Sequence, residues 1–232
     1  MMAKRPVYVP MKNGGLGVVV KEVEFQWFPG MSKSQKQKSI SSLHEAAEQD
    51  GISPLLEISS KSELELGLKL SAFNLSITTK KHGRTFSVES AFQGSKVFQR
   101  GGPYSDLLEK TSREAKKDIR LKESGNLAKF VFFGKEFPLK PRTLFYDWLY
   151  INALNQNDSL GDEVLKYSGF TDIEFNPKKS INCQAYSAAL FVSLSYASLL
   201  KDALESPDVF LDILSDVYQQ RDKYYQIQTS LI

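Results

Sequence analysis

Two side chains that can do acid–base or nucleophilic chemistry lie close to a polar amide in one short stretch of the sequence. Glu89, Gln93 and Lys96 are separated by four and then three residues, so a helix over Ser87 to Phe98 places them on one face. Glu89 and Lys96 then lie two turns apart, about 10 Å along the helix axis. That spacing leaves room for a substrate group between a carboxylate and an amine.

The other residues of this stretch predict where the helix begins, ends and packs. Ser87 is a suitable N-cap, and Gly101 to Pro103 is typical of a helix stop. Small residues, among them Ala91 and Gly94, form the opposite face and let the helix pack closely on a neighbour. The polar face then borders either a cleft or solvent, and the pattern alone favours neither.

The sequence of residues 1–60 predicts an N-terminal β-rich extension with one helix. Apolar and polar residues alternate over Gly17 to Phe28, which is typical of strands. Ser32 is a suitable N-cap for a helix over Lys33 to Gln49. A short strand over Pro54 to Ser59 completes the extension.

The sequence of residues 61–232 predicts a single compact α+β domain, mostly helical with a small sheet. Strands are expected at Phe73 to Thr78, Arg84 to Val88 and Lys129 to Phe133. Helices are expected at Ser105 to Lys110, Ser112 to Lys122, Arg142 to Asn155, Asp162 to Tyr167, Ile181 to Leu204 and Asp208 to Tyr225.

Composition argues against several classes of protein. The chain has 232 residues and 41% hydrophobic content, enough for a buried core, and no apolar run typical of a membrane span. Its one cysteine, Cys183, is expected to be a buried apolar residue. His44 and His82 are expected at the surface, so no metal site is predicted. We expect a soluble, cytoplasmic protein without a cofactor.

The net charge of +3 is too small to indicate a nucleic-acid partner by itself. Basic residues do gather in clusters, at Lys4 and Arg5, at Lys33, Lys36 and Lys38, at Lys80, Lys81 and Arg84, at Arg113, Lys116, Lys117 and Arg120, and at Lys178 and Lys179. These clusters form either a track for phosphates or an ordinary solvated surface.

The stretch from Ser87 to Phe98 resembles the signature helix of the NADAR superfamily, a Glu followed by an aromatic-Gln pair and then a Lys. Leu70 to Asn74 is similar to the family's Leu-Ser-Asn-Phe motif, except that the Asn here follows the Phe. Arg113 to Lys116 resembles the family's second helix. Asp172 and Asn182 lie where members carry a late Asp and an Asn before the last long helix.

A narrower resemblance extends over the whole chain. Trp27 to Gly30, Ser34 to Ser39, Phe145 to Asn152 and Phe170 to Asn182 look like the NADAR antitoxins encoded beside DarT-type toxins. Those toxins attach ADP-ribose to guanine in DNA, and the antitoxins remove it. The resemblance therefore implies ADP-ribosylated DNA as substrate, ADP-ribose as product and a cognate DarT-type toxin as partner, with no membrane and no metal or other cofactor.

The resemblance also implies roles for individual residues. Lys96 is expected to attack the anomeric carbon of the ribose, and Glu89 to carry a proton. The family's Trp-Gly after the late Asp is absent here, so the orienting or stabilising acid is either Asp172 or Glu174, which alternate onto one strand face. Substrate-binding residues are expected at Asn74, Phe92, Gln93, Arg113, Trp148 and Asn182.

Three alternatives stay open at this point. A carboxylate can activate water for direct attack while Lys96 only binds phosphate. Some members of the superfamily cleave an N-glycosidic bond in a riboflavin-pathway intermediate, which makes a small-molecule substrate the second alternative. The third is a non-catalytic antitoxin that binds ADP-ribose or the toxin.

Overall fold

The computed structural model describes residues 1–79, 83–176 and 180–230, with side chains up to residue 222. The strands in these ranges are β1 (Met2–Pro10), β2 (Val18–Gln26), β3 (Leu55–Glu57), β4 (Ser76–Thr78), β5 (Thr85–Ser87), β6 (Lys96–Phe98), β7 (Leu127–Phe132), β8 (Lys135–Phe137) and β9 (Gly169–Thr171).

The helices are α1 (Lys33–Gln49), α2 (Glu65–Lys69), α3 (Val88–Gly94), α4 (Ser112–Lys117), α5 (Arg120–Glu123), α6 (Leu144–Asn155), α7 (Asp158–Val164), α8 (Gln184–Tyr196), α9 (Leu200–Ala203) and α10 (Pro207–Ser230). A 3₁₀ helix, Ser105–Glu109, lies between β6 and α4. The predicted class is confirmed, because the chain is one compact, mixed α+β domain with small sheets.

The largest sheet joins strands that are far apart in the sequence. Its order is β2-β1-β9-β3, with β1 antiparallel to β2 and β9, and β3 parallel to β9. The parallel pairing places Glu57 opposite Thr171. The sheet therefore contains strands from both sides of residue 60, and the predicted boundary there stays a prediction.

Two smaller sheets flank α3. The hairpin of β4 and β5 comes immediately before this helix, and the antiparallel sheet of β6, β7 and β8 begins immediately after it. Because a strand precedes α3 directly and another follows it directly, the orientation of the helix is fixed. The directions of its side chains are therefore fixed as well.

Helices α6 and α8 lie at the centre of the main apolar core. All residues of α8 from Ala185 to Leu194 are buried, as is most of α6. A helix that is apolar all round has to be enclosed by protein, which explains the position of both. A second apolar cluster, including Val7, Phe25 and Leu43, lies between α1 and the β1–β2 hairpin.

The N-terminal helix follows its sequence signals. α1 has the predicted bounds, and the Oγ of Ser32 accepts a hydrogen bond from the backbone N of Gln35 at 3.3 Å. The chain leaves the helix through Gly51, whose φ of +80° lies in the left-handed region that favours glycine.

The helix predicted over Ser87 to Phe98 is shorter than expected. α3 ends two residues before Lys96, which instead begins β6 and pairs with Phe130 of β7. At the helix end, the Oγ of Ser95 donates to the carbonyl of Ala91 at 2.7 Å. The prediction was wrong because helix propensity depends on nearby residues only, whereas Lys96 pairs with β7, about thirty residues further along the chain.

Other element bounds also differ from the predictions. The helix expected over Ile181 to Leu204 is divided into α8 and α9 near Ser198, whose φ is +59°. The helix expected over Ser112 to Lys122 is divided into α4 and α5 at Asp118, whose ψ of 128° is not helical. Strand β1 was not predicted.

A buried ion pair ties α10 to α6. The Nη1 of Arg221 lies 3.3 Å from the Oδ2 of Asp147, and both side chains are nearly inaccessible. Hydroxyl groups of Thr143, Ser187 and Tyr218 also donate to the Asp147 carboxylate, at 2.7, 2.6 and 3.3 Å. Burial raises the pKa of Asp147, while Arg221 and the hydroxyl donors oppose the shift.

Replacing Arg221 with Met tests this network, because it removes the charge and keeps the apolar stem. We expect the free energy of unfolding in urea to fall by about 3 kcal/mol, since Asp147 is left buried without its cation. Lys69→Ala is the control, because the Lys69–Glu65 pair is exposed and such pairs contribute little. Equal losses in the two variants would contradict the prediction.

Candidate functional site

A cleft of about 940 Å³ lies between α3, β6, the residues after β9 and the start of α8. Its volume is at the upper end of the range for small-molecule sites, about 300 to 1,000 Å³. Eight of the ten residues predicted for the site line it: Glu89, Phe92, Gln93, Lys96, Arg113, Asp172, Glu174 and Asn182. Their roles stay predictions.

Helix α3 carries Glu89 and Gln93 into the cleft. Its start is fixed by Ser87, whose Oγ accepts from the backbone N of Ser90 at 3.0 Å, and by a backbone hydrogen bond from Glu89 to Ala72 at 2.9 Å. Glu89 and Gln93 are only 5% and 7% exposed. The carboxyl and amide groups are therefore largely removed from water although they line the cleft.

A continuous chain of side chains connects the amine to the acid. The Nζ of Lys96 donates to the Oε1 of Gln93 at 2.7 Å, and the Nε2 of Gln93 donates to the Oε1 of Glu89 at 2.9 Å. Lys96 reaches Gln93 from β6 instead of from α3. The acid and the amine thus share a cleft without sharing a helix.

The environment of Lys96 favours its neutral form. Burial lowers the pKa of Lys96 to about 8; the charge of Glu89 opposes this shift and the charge of Lys116 adds to it. The Nζ of Lys96 lies 4.8 Å from the centre of the Phe92 ring. The Nζ of Lys116 lies 3.7 Å from the Oε1 of Glu89. At mildly alkaline pH, a large fraction of the Lys96 amine is therefore free to act as a nucleophile.

The two candidates for the late acid have different surroundings. Asp172 does not continue a strand with Glu174 as expected; β9 ends at Thr171, and Asp172 begins a turn. Its Oδ1 accepts from the backbone N of Glu174 and of Phe175 at 3.0 and 3.1 Å, and its Oδ2 accepts from the Nε2 of Gln184 at 3.0 Å. Turns in which an Asp side chain accepts hydrogen bonds from the backbone that follows it are common.

Glu174 is exposed and points to the N-terminal helix. Its Oε1 lies 3.4 Å from the Nζ of Lys36 of α1, and that Nζ also lies 4.7 Å from the centre of the Trp27 ring. Lys36, which belongs to one of the basic clusters in the sequence, therefore brings the N-terminal extension to the edge of the cleft.

A fully buried carboxyl group, Glu57, lies next to the cleft wall and was not singled out by the sequence. It accepts hydrogen bonds from Ser59, which lines the cleft, and from Thr171. Thr171 also contacts the Nε2 of His44 at 2.9 Å. His44, expected at the surface, is only partly exposed, and burial lowers its pKa to about 4. An acid inside the apolar stretch of a predicted strand is the signal that could have identified Glu57.

The remaining lining combines an apolar wall with a cationic rim. Apolar side chains of Leu127, Phe130 and Leu139 line one part, and the cationic residues are Lys61, Arg113, Lys116, Lys140 and Arg142. Within the described residues, the Oδ1 of Asn182 is buried without a hydrogen-bond partner. A buried acceptor of this kind favours a ligand that brings a donor.

Two predicted substrate-binding residues do not line the cleft. Asn74 is exposed, and its Nδ2 donates to the carbonyl of Leu68 at 2.7 Å. Trp148 packs in the core against Phe132 and Phe137, with ring centres 6.3 and 5.2 Å apart. Cys183 is buried, as expected. The predicted basic residues Lys80, Lys81, Lys178 and Lys179, and also His82, lie outside the described residues.

In residues 1–79, 83–176 and 180–230, no three His, Cys, Asp or Glu side chains are grouped to hold a metal ion. No helix in these ranges is both long enough and apolar enough to cross a membrane.

Glu89, Gln93 and Lys96, which line this cleft, belong to the stretch that resembles the NADAR signature. Residues 3–224 match the family model described as DarT1-associated NADAR antitoxin, and the chain belongs to this family. The match includes most of the N-terminal extension as well as the cleft. Comparison with curated protein sequences gave no match.

The buried imidazole of His44 predicts how stability depends on pH. His44 stays neutral in the folded protein down to pH about 4, whereas in the unfolded chain it takes up a proton below about pH 6.5. Unfolding therefore becomes easier as the pH falls through this interval. We expect wild type to lose about 2 kcal/mol more than His44→Gln between pH 7 and pH 4, measured by urea unfolding. Parallel curves for the two proteins would contradict this.

Proposed function

We propose that the protein is an ADP-ribosyl glycosidase that removes ADP-ribose from guanine bases in DNA, and so acts as antitoxin to a DarT-type toxin. The observation that carries the proposal is the hydrogen-bonded chain from Lys96 through Gln93 to Glu89 inside the cleft. It supplies a nucleophile with a lowered pKa and a carboxyl group to one bound substrate.

The other parts of the cleft fit the groups of an ADP-ribosylated nucleotide. The cationic rim suits the pyrophosphate and the neighbouring DNA phosphates, because Lys and Arg are the usual partners of phosphate oxygens. The apolar wall suits the flat face of a base. The buried Oδ1 of Asn182 suits a ribose hydroxyl, which can donate to it.

Lys96 and Glu89 account for every proton in the proposed reaction. The neutral Nζ of Lys96 forms a bond to the anomeric carbon, the bond from that carbon to the guanine nitrogen breaks, and its electron pair passes to this nitrogen. The Glu89 carboxylate takes a proton from the nitrogen of the Lys96 adduct and passes it to the guanine nitrogen. The remaining N–H proton of the adduct moves to the ring oxygen as the ribose ring opens to an imine, and water hydrolyses the imine to ADP-ribose and free Lys96.

Asp172 fits the role of the late acid better than Glu174. Its carboxyl group is held by three donors and faces the cleft, so it has one orientation toward the sugar. Glu174 is exposed and paired with Lys36, which suits a place at the edge of the cleft.

Lys96→Met tests the proposal on a guanine-ADP-ribosylated oligonucleotide. We expect release of ADP-ribose to fall by at least about 10³-fold, because the nucleophile is lost. Lys201→Met, which makes the same change at an exposed residue of α9, is the control and should release ADP-ribose like wild type. Full activity of Lys96→Met would contradict the proposed mechanism.

The alternatives give different results in the same assay. Borohydride traps a covalent adduct on Lys96 only when an imine forms, so release without trapping indicates direct attack by water. An antitoxin that acts by binding alone neutralises the toxin without releasing ADP-ribose, and Lys96→Met keeps that protection. A substrate from riboflavin synthesis would compete with the oligonucleotide.

The pKa of Lys96 predicts the pH profile of the reaction. Only the neutral amine attacks, and its fraction rises as the pH passes about 8, so kcat/KM should increase about tenfold per pH unit below that value and level off above it. Rate measurements on the oligonucleotide between pH 6 and 9.5 check this. A flat profile would rule out the neutral amine as the group that limits the rate.

A further inference from the structure

Glu57 is a buried carboxyl group that the proposed reaction does not use. It lies in β3 and is 3% exposed. We propose that Glu57 is a positioning residue, which holds the segment around Asp172 in place and keeps a second acid group next to it. Its effect on the reaction rests on the proposed function, whereas its effect on Asp172 does not.

Three donors converge on the Glu57 carboxyl group. The Oγ of Ser59 and the backbone N of Ile173 donate to its Oε1 at 2.6 and 2.9 Å, and the Oγ1 of Thr171 donates to its Oε2 at 2.6 Å. An ionised carboxylate only accepts hydrogen bonds, whereas a protonated one also has to donate. Burial raises the pKa of Glu57, and this set of donors opposes the rise.

The hydrogen-bonded chain continues from Thr171 to α1. The Oγ1 of Thr171 gives its proton to Glu57, so it accepts from the Nε2 of His44 at 2.9 Å. Burial lowers the pKa of His44 to about 4, and the ring is neutral at neutral pH. His44 thus completes the chain without adding a positive charge that would cancel the charge of Glu57.

Glu57 and Gln184 together fix the position of Asp172. Glu57 accepts from the residues on both sides of it, Thr171 and Ile173. The Nε2 of Gln184 donates to the Oδ2 of Asp172 at 3.0 Å and to the carbonyl of Ile58, next to Glu57, at 2.7 Å. Asp172 therefore cannot move relative to β3 without breaking these hydrogen bonds.

The charge of Glu57 acts on Asp172 as well. Burial raises the pKa of Asp172 and the charge of Glu57 raises it further, against the donors from Glu174, Gln184 and Phe175. Two neighbouring carboxyl groups in a buried site cannot both ionise easily, so the pair holds one proton at neutral pH.

Other titratable groups near this pair do not supply a compensating charge. Tyr146 and Tyr150 of α6 and Cys183 before α8 face Asp172, and burial raises the pKa of each, so all three are neutral. Glu174 adds a negative charge that raises the pKa of Glu57. A neutral Asp172 can donate a hydrogen bond to a ribose oxygen in the cleft, which a carboxylate cannot do.

The test follows the carboxyl signal of Asp172 by carbon-13 NMR over a pH titration, with the signal assigned from Asp172→Asn. In Glu57→Gln, the midpoint for Asp172 should fall by about one pH unit or more, because the neighbouring charge is gone. Glu63→Gln makes the same change at an exposed residue and should leave the midpoint unchanged. Release of ADP-ribose by Glu57→Gln at pH 7.5 should fall about tenfold.

A second variant keeps the test decisive if Glu57→Gln does not fold. Thr171→Val preserves the side-chain shape and removes one donor from Glu57, so the proton moves toward Glu57 and the Asp172 midpoint falls. An unchanged midpoint in whichever of these variants is folded overturns the proposal. A wild-type protein that releases no ADP-ribose refutes the proposed function instead, and the titration still decides the role of Glu57.

Discussion

The parallel pairing of β3 with β9 is the constraint on which the cleft depends. It spans three residues, yet it places a buried acid, Glu57, opposite Thr171 and directly before Asp172. A buried carboxyl group is costly unless donors surround it, and here the donors are Thr171 of β9 and two residues that follow the strands, Ser59 and Ile173. A second pairing, between β6 and β7, sets the position of Lys96. Two separate sheets thus set the positions of Asp172 and Lys96 relative to each other.

Local signals in the sequence account for much of the secondary structure. The N-cap Ser32 and the turn at Gly51 mark α1 correctly, and Ser87 marks the start of α3. The end of α3 could not be predicted in this way, because Lys96 leaves the helix to pair with a distant strand. Helical spacing grouped Glu89, Gln93 and Lys96, and the structure brings all three into the cleft although Lys96 lies on β6. The other cleft residues were grouped by the resemblance to the family's motifs.

The residues that sequence reasoning missed or misplaced depend on tertiary contacts. In the sequence, Glu57 is one polar residue in an apolar strand. The residues next to it do not indicate that β9 supplies hydrogen-bond donors to its carboxyl group. Trp148 was expected to bind substrate, but it packs against two phenylalanines instead of lining the cleft. Asn74 follows Phe73 instead of preceding it, and its side chain caps a nearby carbonyl.

The contacts of α1 determine how many N-terminal residues can be deleted without disturbing the cleft. Lys36 meets Glu174 at the mouth of the cleft, and His44 meets Thr171 behind its wall. Deleting the first sixty residues would remove both of these supports and Glu57 with them. A shortened chain that retained the whole signature motif would still lack one side of the cleft, so the motif by itself does not form the complete site.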